Sequence, residues 1–594
     1  MVYPCGRATA SCICCLSHPE PIDSTKHGIV TTIRSSRSNF VVSTISSLFP
    51  NSHFTNPEAL PSLHDALSFF SSAFPHFNET QAQTDHIRRT EYPHLCEHVC
   101  LDYSGVGLFS HFQMQPHCSS LSPSPFFIIS YRSASLKSEV QCGEQETGFE
   151  SSIRKQVTSF LKISEEDYGM LCVSNRTAAF RLLAETFPFQ SKKCLLTVYD
   201  YESEAITAMA EIAQKRGAVV SSARFSWPSL SIHSAELKKL LRRGKKRTRG
   251  LFVFPLMSRV TGKRYPYLWM KMAQEKGWHV ALDACTLGPK DMDTMGMTLI
   301  QPDFVVCSFY KVFGENPSGF AGLFIKKSSR QLLESSLLAR GIGVVSILPT
   351  RSTLSASEDD EMEITRSFSG PLGLARLFEN EYDEGETSEK REPSGEIIEE
   401  EIKGKRADTE QLEKEETEIE FRGLYHADLL GLPVIQSRLR CLINWLVIAL
   451  TKLRHPLPSN NGDSLVRIYG PKVKFDRGSA IAFNVFDWKG EKVEPFLVQK
   501  LAGRSNISLN CGFLHNIFFC DHKHEANKQA ILEKRPQGSR DSGYREKEKS
   551  DVGIAVVSAS LGFLVNFEDA YKLWAFVAKF LDADFVEKER QIRR

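Results

Sequence analysis

"FVVCSFYKVFGENPSGFAGLFIKK", residues 304–327, is two apolar runs joined by a glycine-rich turn. The first run has the length of a strand buried on both faces, yet a lysine, Lys311, stands near its end. The second resumes among glycines at 314, 319 and 322, residues that let a backbone pass close to a bound group. Similar short runs recur upstream: "YGMLCVSN", "CLLTVYD", "AVVSSARF", "GLFVFPLMS" and "HVALDAC". Most are separated by amphipathic stretches of helical length. Strands alternating with helices predict an α/β fold with a mostly parallel sheet covered on both faces, because parallel neighbours need a crossover. Ligands of such sheets sit beyond the carboxyl ends of the strands. The residues that follow each run are therefore the ones to search for chemistry.

At 594 residues the chain exceeds one ordinary domain. Residues 1–50 are rich in Ser and Thr and poor in acids, which predicts a disordered segment with the composition of an organelle leader, although Glu20 and Asp23 count against import. "CICCLSH" at 12–18 lacks a second ligand pair at zinc spacing and reads as reduced thiols. Residues 51–350 form the large α/β domain. It opens on a helical segment in which Asn56 caps, Pro57 suits the first turn, and Leu63, Leu67 and Phe70 share a face. Residues 351–420 carry dense charge and few aromatics, the composition of a disordered insert. Residues 421–594 read as a small α+β domain with a polar loop at 521–551. Its first helix keeps Leu439, Leu442, Ile443, Leu446, Val447, Leu450 and Leu453 at helical spacing before Pro456.

Seventy-three basic against 71 acidic residues leave a net charge of +2, which gives no electrostatic case for nucleic acid or an acidic membrane as partner. Uninterrupted apolar runs such as "WLVIAL" are far shorter than the roughly 20 residues of a spanning helix, which predicts a soluble protein. Fifteen cysteines without framework spacing, and no secretory h-region, predict reduced thiols in an intracellular compartment. The cytoplasm is the expected location, with plastid or mitochondrial import as the alternative.

Two strand ends carry complementary chemistry. Asp283 closes "HVALD" and Lys311 closes the next run, so the alternating sheet predicts both side chains in one crevice. Such a pair serves pyridoxal 5'-phosphate, the lysine holding the cofactor as a Schiff base and the carboxylate keeping the ring nitrogen protonated. Ser174, Asn175, Arg176 and Thr177 stand where a strand turns into an Ala- and Leu-rich helix, whose free N–H groups suit a phosphate. Ser308 adds a hydroxyl. The competing reading of each is bland: a solvated lysine, a capping carboxylate, an ordinary helix cap.

"LDYSG", "SNRTAA", "LDAC" and "SFYKVFG" followed by "PSGFAGLFIKK" together resemble the class V, cysteine-desulfurase-like branch of fold type I pyridoxal phosphate enzymes. Within that branch the chain is similar to the desulfurase domain of molybdenum cofactor sulfurases, and "SLFPNSHFTNPEALPSL" and "VRIYGPKVKFDRGSAIAFNVFDWKGEKV" resemble a plant group of sulfurase-like proteins. The resemblance implies Lys311 as the Schiff-base lysine, Asp283 at the ring nitrogen, and Thr177 with its neighbours, Ser308 and Tyr310 around the phosphate. It implies a homodimer, a small amino acid substrate such as L-cysteine, and a protein that accepts the sulfur. The substrate half departs from the family. Tyr201 and Glu202 stand where a histidine stacks on the ring, and Ser558 in "SASLGF" replaces the carboxylate-binding arginine, leaving Arg176 or Arg259 as substitutes. The sulfur-carrying cysteine falls on Cys520, with Cys511 near it, and the alternative is an inert core thiol. The family's further C-terminal domain is not matched, so direct sulfuration of molybdenum cofactor would need another subunit. A catalytically altered scaffold that lacks desulfurase activity is the second reading.

Overall fold

The computed structural model describes residues 28–50, 52–102, 105–114, 127–141, 148–243, 249–285, 300–314, 319–349, 419–456, 463–519, 531–534 and 552–591. The "CICCLSH" cluster, Cys520, nearly all of the 351–420 insert and most of the 521–551 loop lie outside them.

In chain order, the N-terminal helices are α1 (Gly28–Ser47), α2 (Leu63–Ala73) and α3 (Gln81–Glu91). The large domain then brings β1 (Val106–Phe109), β2 (Phe127–Ala134), α4 (Gly148–Leu161), β3 (Tyr168–Val173), α5 (Arg176–Thr186), β4 (Cys194–Thr197), α6 (Glu204–Lys215), β5 (Val219–Ser222), β6 (Leu251–Pro255), α7 (Leu268–Glu275), β7 (His279–Asp283), β8 (Phe304–Val312), β9 (Gly319–Lys326) and β10 (Ile342–Pro349). Its eight-stranded sheet runs β3-β9-β8-β7-β6-β4-β5, with β1 also pairing β8. Only β9 runs antiparallel to its neighbours within it. The apolar runs read from the sequence are these strands, and β6 is buried along its whole length. This is the α/β architecture with a mostly parallel sheet that the alternating runs predict.

The small domain contains α8 (Leu432–Thr451), β11 (Val466–Tyr469), β12 (Ala480–Val485), α9 (Pro495–Arg504), β13 (Asn510–Leu514), β14 (Val552–Ser560) and α10 (Phe567–Ala578). Its antiparallel sheet runs β11-β12-β14-β13. Helix α8 has the length and hydropathy of a membrane span, and two-thirds of its apolar window (67%) is buried inside the protein. It is the helix of the core: Trp445 packs on Phe567 and Trp574, with ring centroids 4.7 and 5.7 Å away.

Two expectations change at the N-terminus. Residues 28–47 are helical where composition predicted disorder, because Thr44 and Leu48 are buried and Phe49 reaches Trp574, with ring centroids 5.5 Å apart. Asn56 caps only a single 3-10 turn; helix α2 starts after Ser62, whose hydroxyl accepts from the Asp65 N–H. The helices assigned to the large domain also face the small one. Phe70 is fully buried against Phe567 (4.6 Å) and Trp445 (6.3 Å), so the apolar stripe of α2 covers α8 and α10 rather than the large sheet. Buried side chains from both domains form one continuous core.

Candidate active site

Asp283 ends β7 and is 2% exposed. Its strand pairs β8 in register Asp283 to Val306, which brings Cys285 against Ser308. Four groups surround the carboxylate. Arg176 Nη2 donates to Oδ2 at 2.6 Å and Nε approaches Oδ1 at 3.5 Å. Tyr199 Oη donates to Oδ2 at 2.9 Å, and the Cys285 N–H donates to Oδ1 at 3.2 Å. Burial alone would raise the Asp283 pKa; the Arg176 charge and these hydrogen bonds outweigh it and hold the carboxyl below its ordinary value. Burial likewise works against the Arg176 charge, and Asp283 beside it outweighs that, so its pKa is raised.

Arg176 is the first residue of α5, a position where the helix dipole disfavours a cation. It turns away from the helix end instead. Its Nη1 donates to Ser203 Oγ at 2.9 Å and its guanidinium lies over the Phe180 ring at 5.3 Å. Asn175 is spent as the cap of α5, accepting from the Ala178 N–H at 2.9 Å. Ser174 and Thr177 flank it, partly buried, at the carboxyl end of β3.

Tyr201 closes the other wall. It forms a bridge to Leu514 of β13, its ring lies 5.7 Å from that of Tyr199, and its buried hydroxyl has no hydrogen-bond partner among the described residues. Glu202 donates its N–H to Phe513 O, which ties this segment to the small domain. Tyr310 packs against Gly105, where a Cβ would stand 2.2 Å from its ring. Burial raises the Tyr310 pKa, and the Arg259 charge opposes the rise. Arg259 also acts on Tyr201, and among the described residues it makes no hydrogen bond or ion pair. Its loop is fixed on both sides: Thr261 Oγ1 donates to Asp200 Oδ2 at 2.9 Å, and Val260 packs where Gly512 leaves room.

Lys311 stands apart from this group. Side chains alternate along a strand, and in β8 it is Ser308 and Tyr310 that face Cys285 and Arg176. Lys311 follows on the opposite face, half-buried, its Nζ over the Phe127 ring at 4.7 Å. Burial lowers its pKa. No hydrogen bond or ion pair joins it to Asp283, so the single crevice expected for the two is not formed by direct contact. The glycines expected to admit a cofactor serve the strand pair: Gly314 turns at φ +82°, and a Cβ on Gly319 would meet Phe309 O at 1.9 Å.

Ser558 lies buried on β14, opposite Ala482 and Asn510. Cys511 is exposed and donates its thiol to Gln499 Oε1 at 3.3 Å; partial desolvation and the nearby Glu494 raise its pKa. Sequence reading missed Tyr199 and Ser203 as partners of the Arg176 and Asp283 pair. The signal for Tyr199 was present, since Tyr199 and Tyr201 are two apart in an extended segment and share a side.

By donor type these residues fit pyridoxal phosphate. They supply a buried carboxylate, an aromatic wall whose hydroxyl is unpartnered among the described residues, a helix N-terminus at the carboxyl end of β3, and, on the other face of β8, a lysine whose pKa burial lowers. Arg176 is the departure, since it takes the carboxylate instead of standing free for the phosphate.

Residues 127–359 match the family model described as aminotransferase class-V. The chain is 25% identical over 529 residues to a molybdenum cofactor sulfurase of Aspergillus fumigatus, covering 85% of this chain and 54% of that protein. It is 24% identical over 520 residues to the Homo sapiens molybdenum cofactor sulfurase, covering 83% and 50%. The chain thus spans about half the length of the curated relatives it matches. These include plant proteins among fungal and animal ones, so the likeness is not confined to plants. Among solved structures, a cysteine desulfurase of Thermococcus onnurineus NA1 is 14% identical with a TM-score of 0.45, over 84% of this chain and 98% of that one.

Proposed function

We propose that the chain is a pyridoxal phosphate-dependent enzyme of the cysteine-desulfurase-like kind, acting on L-cysteine or a related small amino acid. The observation that carries this reading is the shared edge: Asp283 and Lys311 close adjacent parallel strands, β7 and β8, and the N-terminus of α5 opens at the carboxyl end of β3 in the same sheet. Bound pyridoxal phosphate supplies an aldehyde for amines and a ring that accepts electrons from carbon. Asp283 would hold the ring nitrogen protonated. Thr177, Ser174 and Ser308 would take the phosphate, with Asn175 fixing the helix start, while Tyr310 lines its approach and Tyr201 presents a ring face. Lys311 Nζ, deprotonated more readily because burial lowers its pKa, is suited to remove the proton on the substrate's α-carbon.

The substrate's carboxylate needs a cation. Ser558 offers none, and Arg176 is paired with Asp283 before any cofactor arrives. Arg259 is the candidate that needs no exchange: its charge reaches Tyr201 and Tyr310, and its loop lies on the small-domain sheet near Ser558. The candidate sulfur carriers are Cys520 and Cys511, the latter exposed. A homodimer and a sulfur-accepting protein complete the proposal.

Adding pyridoxal phosphate to the purified chain tests it. The expected result is a visible absorption band that requires Lys311 and changes with L-cysteine, accompanied by alanine. A band indifferent to L-cysteine would move the substrate to another amine. The second reading, a scaffold without desulfurase activity, draws on the Arg176 pair with Asp283 and on Ser558, and no band at all would favour it.

A further inference from the structure

Both oxygens of Asp283 are engaged. Oδ2 accepts from Arg176 Nη2 (2.6 Å) and Tyr199 Oη (2.9 Å); Oδ1 accepts from the Cys285 N–H (3.2 Å), with Arg176 Nε at 3.5 Å. A carboxylate offers about four acceptor positions, so a protonated ring nitrogen can be received only by exchange. Tyr199 and the Cys285 backbone are fixed within the sheet region. Arg176 is the exchangeable partner, because its long side chain reaches in from the end of α5.

We propose that Arg176 is an internal competitor for the ring-nitrogen seat, holding Asp283 until an incoming pyridinium displaces it. This rests on the cofactor reading above. The exchange is balanced in charge: one cation leaves the carboxylate as another arrives. The seat is also held shut by more than the ion pair. Ser203 Oγ accepts from Nη1, and the Phe180 face supports the guanidinium, so three contacts must be given up together. A planar guanidinium bound in this way is a strong competitor. The cost falls on affinity, and cofactor binding becomes weaker and more readily reversed than an open carboxylate would make it. The alternative role, read from the sequence, is that of a phosphate ligand. The two roles predict opposite responses to removal of the charge.

The probe is pyridoxine 5'-phosphate, which has the ring and phosphate but no aldehyde and so does not depend on Lys311. Its affinity is measured calorimetrically on the full chain and on Arg176→Ala and Arg176→Met, the latter keeping an unbranched apolar stem in place of the charged one. Competition predicts binding about tenfold or more tighter in both variants, from the worth of one charge-assisted hydrogen bond. It also predicts a larger ligand-induced rise in Tm than in the wild type, from a lower starting point. Weaker binding in the variants would make Arg176 a phosphate ligand and overturn the proposal while leaving the cofactor reading intact. Equal affinity would overturn it as well. Failure of all three folded proteins to bind would remove the cofactor reading and this inference with it; circular dichroism establishes that each is folded.

Discussion

Lys311 combines two properties that are rarely found together on a surface lysine: desolvation that lowers its pKa, and an aromatic ring rather than a carboxylate beneath its amine. A cation over Phe127 is worth about 2 kcal/mol where it is desolvated, a contact that Lys311 must give up to reach an aldehyde. Borohydride treatment of the protein with pyridoxal phosphate should fix a pyridoxyl label on the Lys311 peptide, read by mass spectrometry. A label spread over exposed lysines would contradict a dedicated amine. Arg259 yields a second expectation. If it receives the substrate carboxylate, Arg259→Gln should raise the KM for the amino acid about 10- to 100-fold, the worth of a charged hydrogen bond of roughly 1.5–3 kcal/mol, with a smaller change in kcat. Asp283 and Lys311 were legible as strand-end residues because apolar runs mark strands. Their separation was not, since it depends on how far β8 stays extended past its partner, and pairing with β1 carries it through Val312. Nor was the Arg176 contact legible, because a helix-start arginine beside Ser and Thr looks like an anion site until the fold brings in Asp283.

Between elements, the clasp of α3 on α10 is the most exacting contact. Arg88 Nη1 donates to Asp569 Oδ2 at 2.6 Å and Nη2 to Oδ1 at 3.2 Å, and the same guanidinium serves Leu564 O and Leu95 O, both at 2.7 Å. Asp569 also completes the capping box with Asn566 that starts α10. Removing one side leaves a buried charge, which typically costs about 3–5 kcal/mol. Arg88→Met should lower stability by that order in urea unfolding; a loss below about 1 kcal/mol would show that solvent enters the joint. Nearby, His94 Nε2 lies 3.1 Å from Phe313 O in the turn after Lys311. Burial, with the neighbouring His111, Arg88 and His98, lowers its pKa to about 4 against an ordinary 6.5, although the Phe313 contact opposes the shift. The folded state thus binds fewer protons than the unfolded one. Stability contributed through this site is present above about pH 6.5 and lost as pH falls toward 4. His94→Gln should flatten the urea midpoint over that window, and an unchanged slope would place the acid sensitivity elsewhere. The helices themselves were readable from apolar spacing. Their partners were not, because amphipathicity says that a face is buried and not against what.

At the scale of the molecule, the candidate site lies where two sheets are sewn together. Glu202 N–H donates to Phe513 O at 2.8 Å, His515 N–H to Asp200 O at 3.0 Å, Phe225 N–H to Asn516 O at 2.9 Å and Trp227 N–H to Phe518 O at 2.8 Å. On another side Val99 and Leu101 donate to Asn506 O and Ser508 O. The large sheet and the small antiparallel one were both legible from the spacing of apolar runs. This seam was not, because pairings between distant segments leave no periodic mark on either one. Main-chain bonds of this kind make the domains a single cooperative unit, since separating them would strand buried donors and acceptors. Hydrogen exchange checks the point. Amides of Glu202, His515 and Phe225 should exchange only by an opening close in free energy to that of the β6 amides at the centre of the large sheet. Faster exchange along the seam alone would mean that the domains part locally. Tyr201, which bridges to Leu514, would then move with the seam, and the wall it forms beside Asp283 would belong to a mobile joint rather than to a preorganised site.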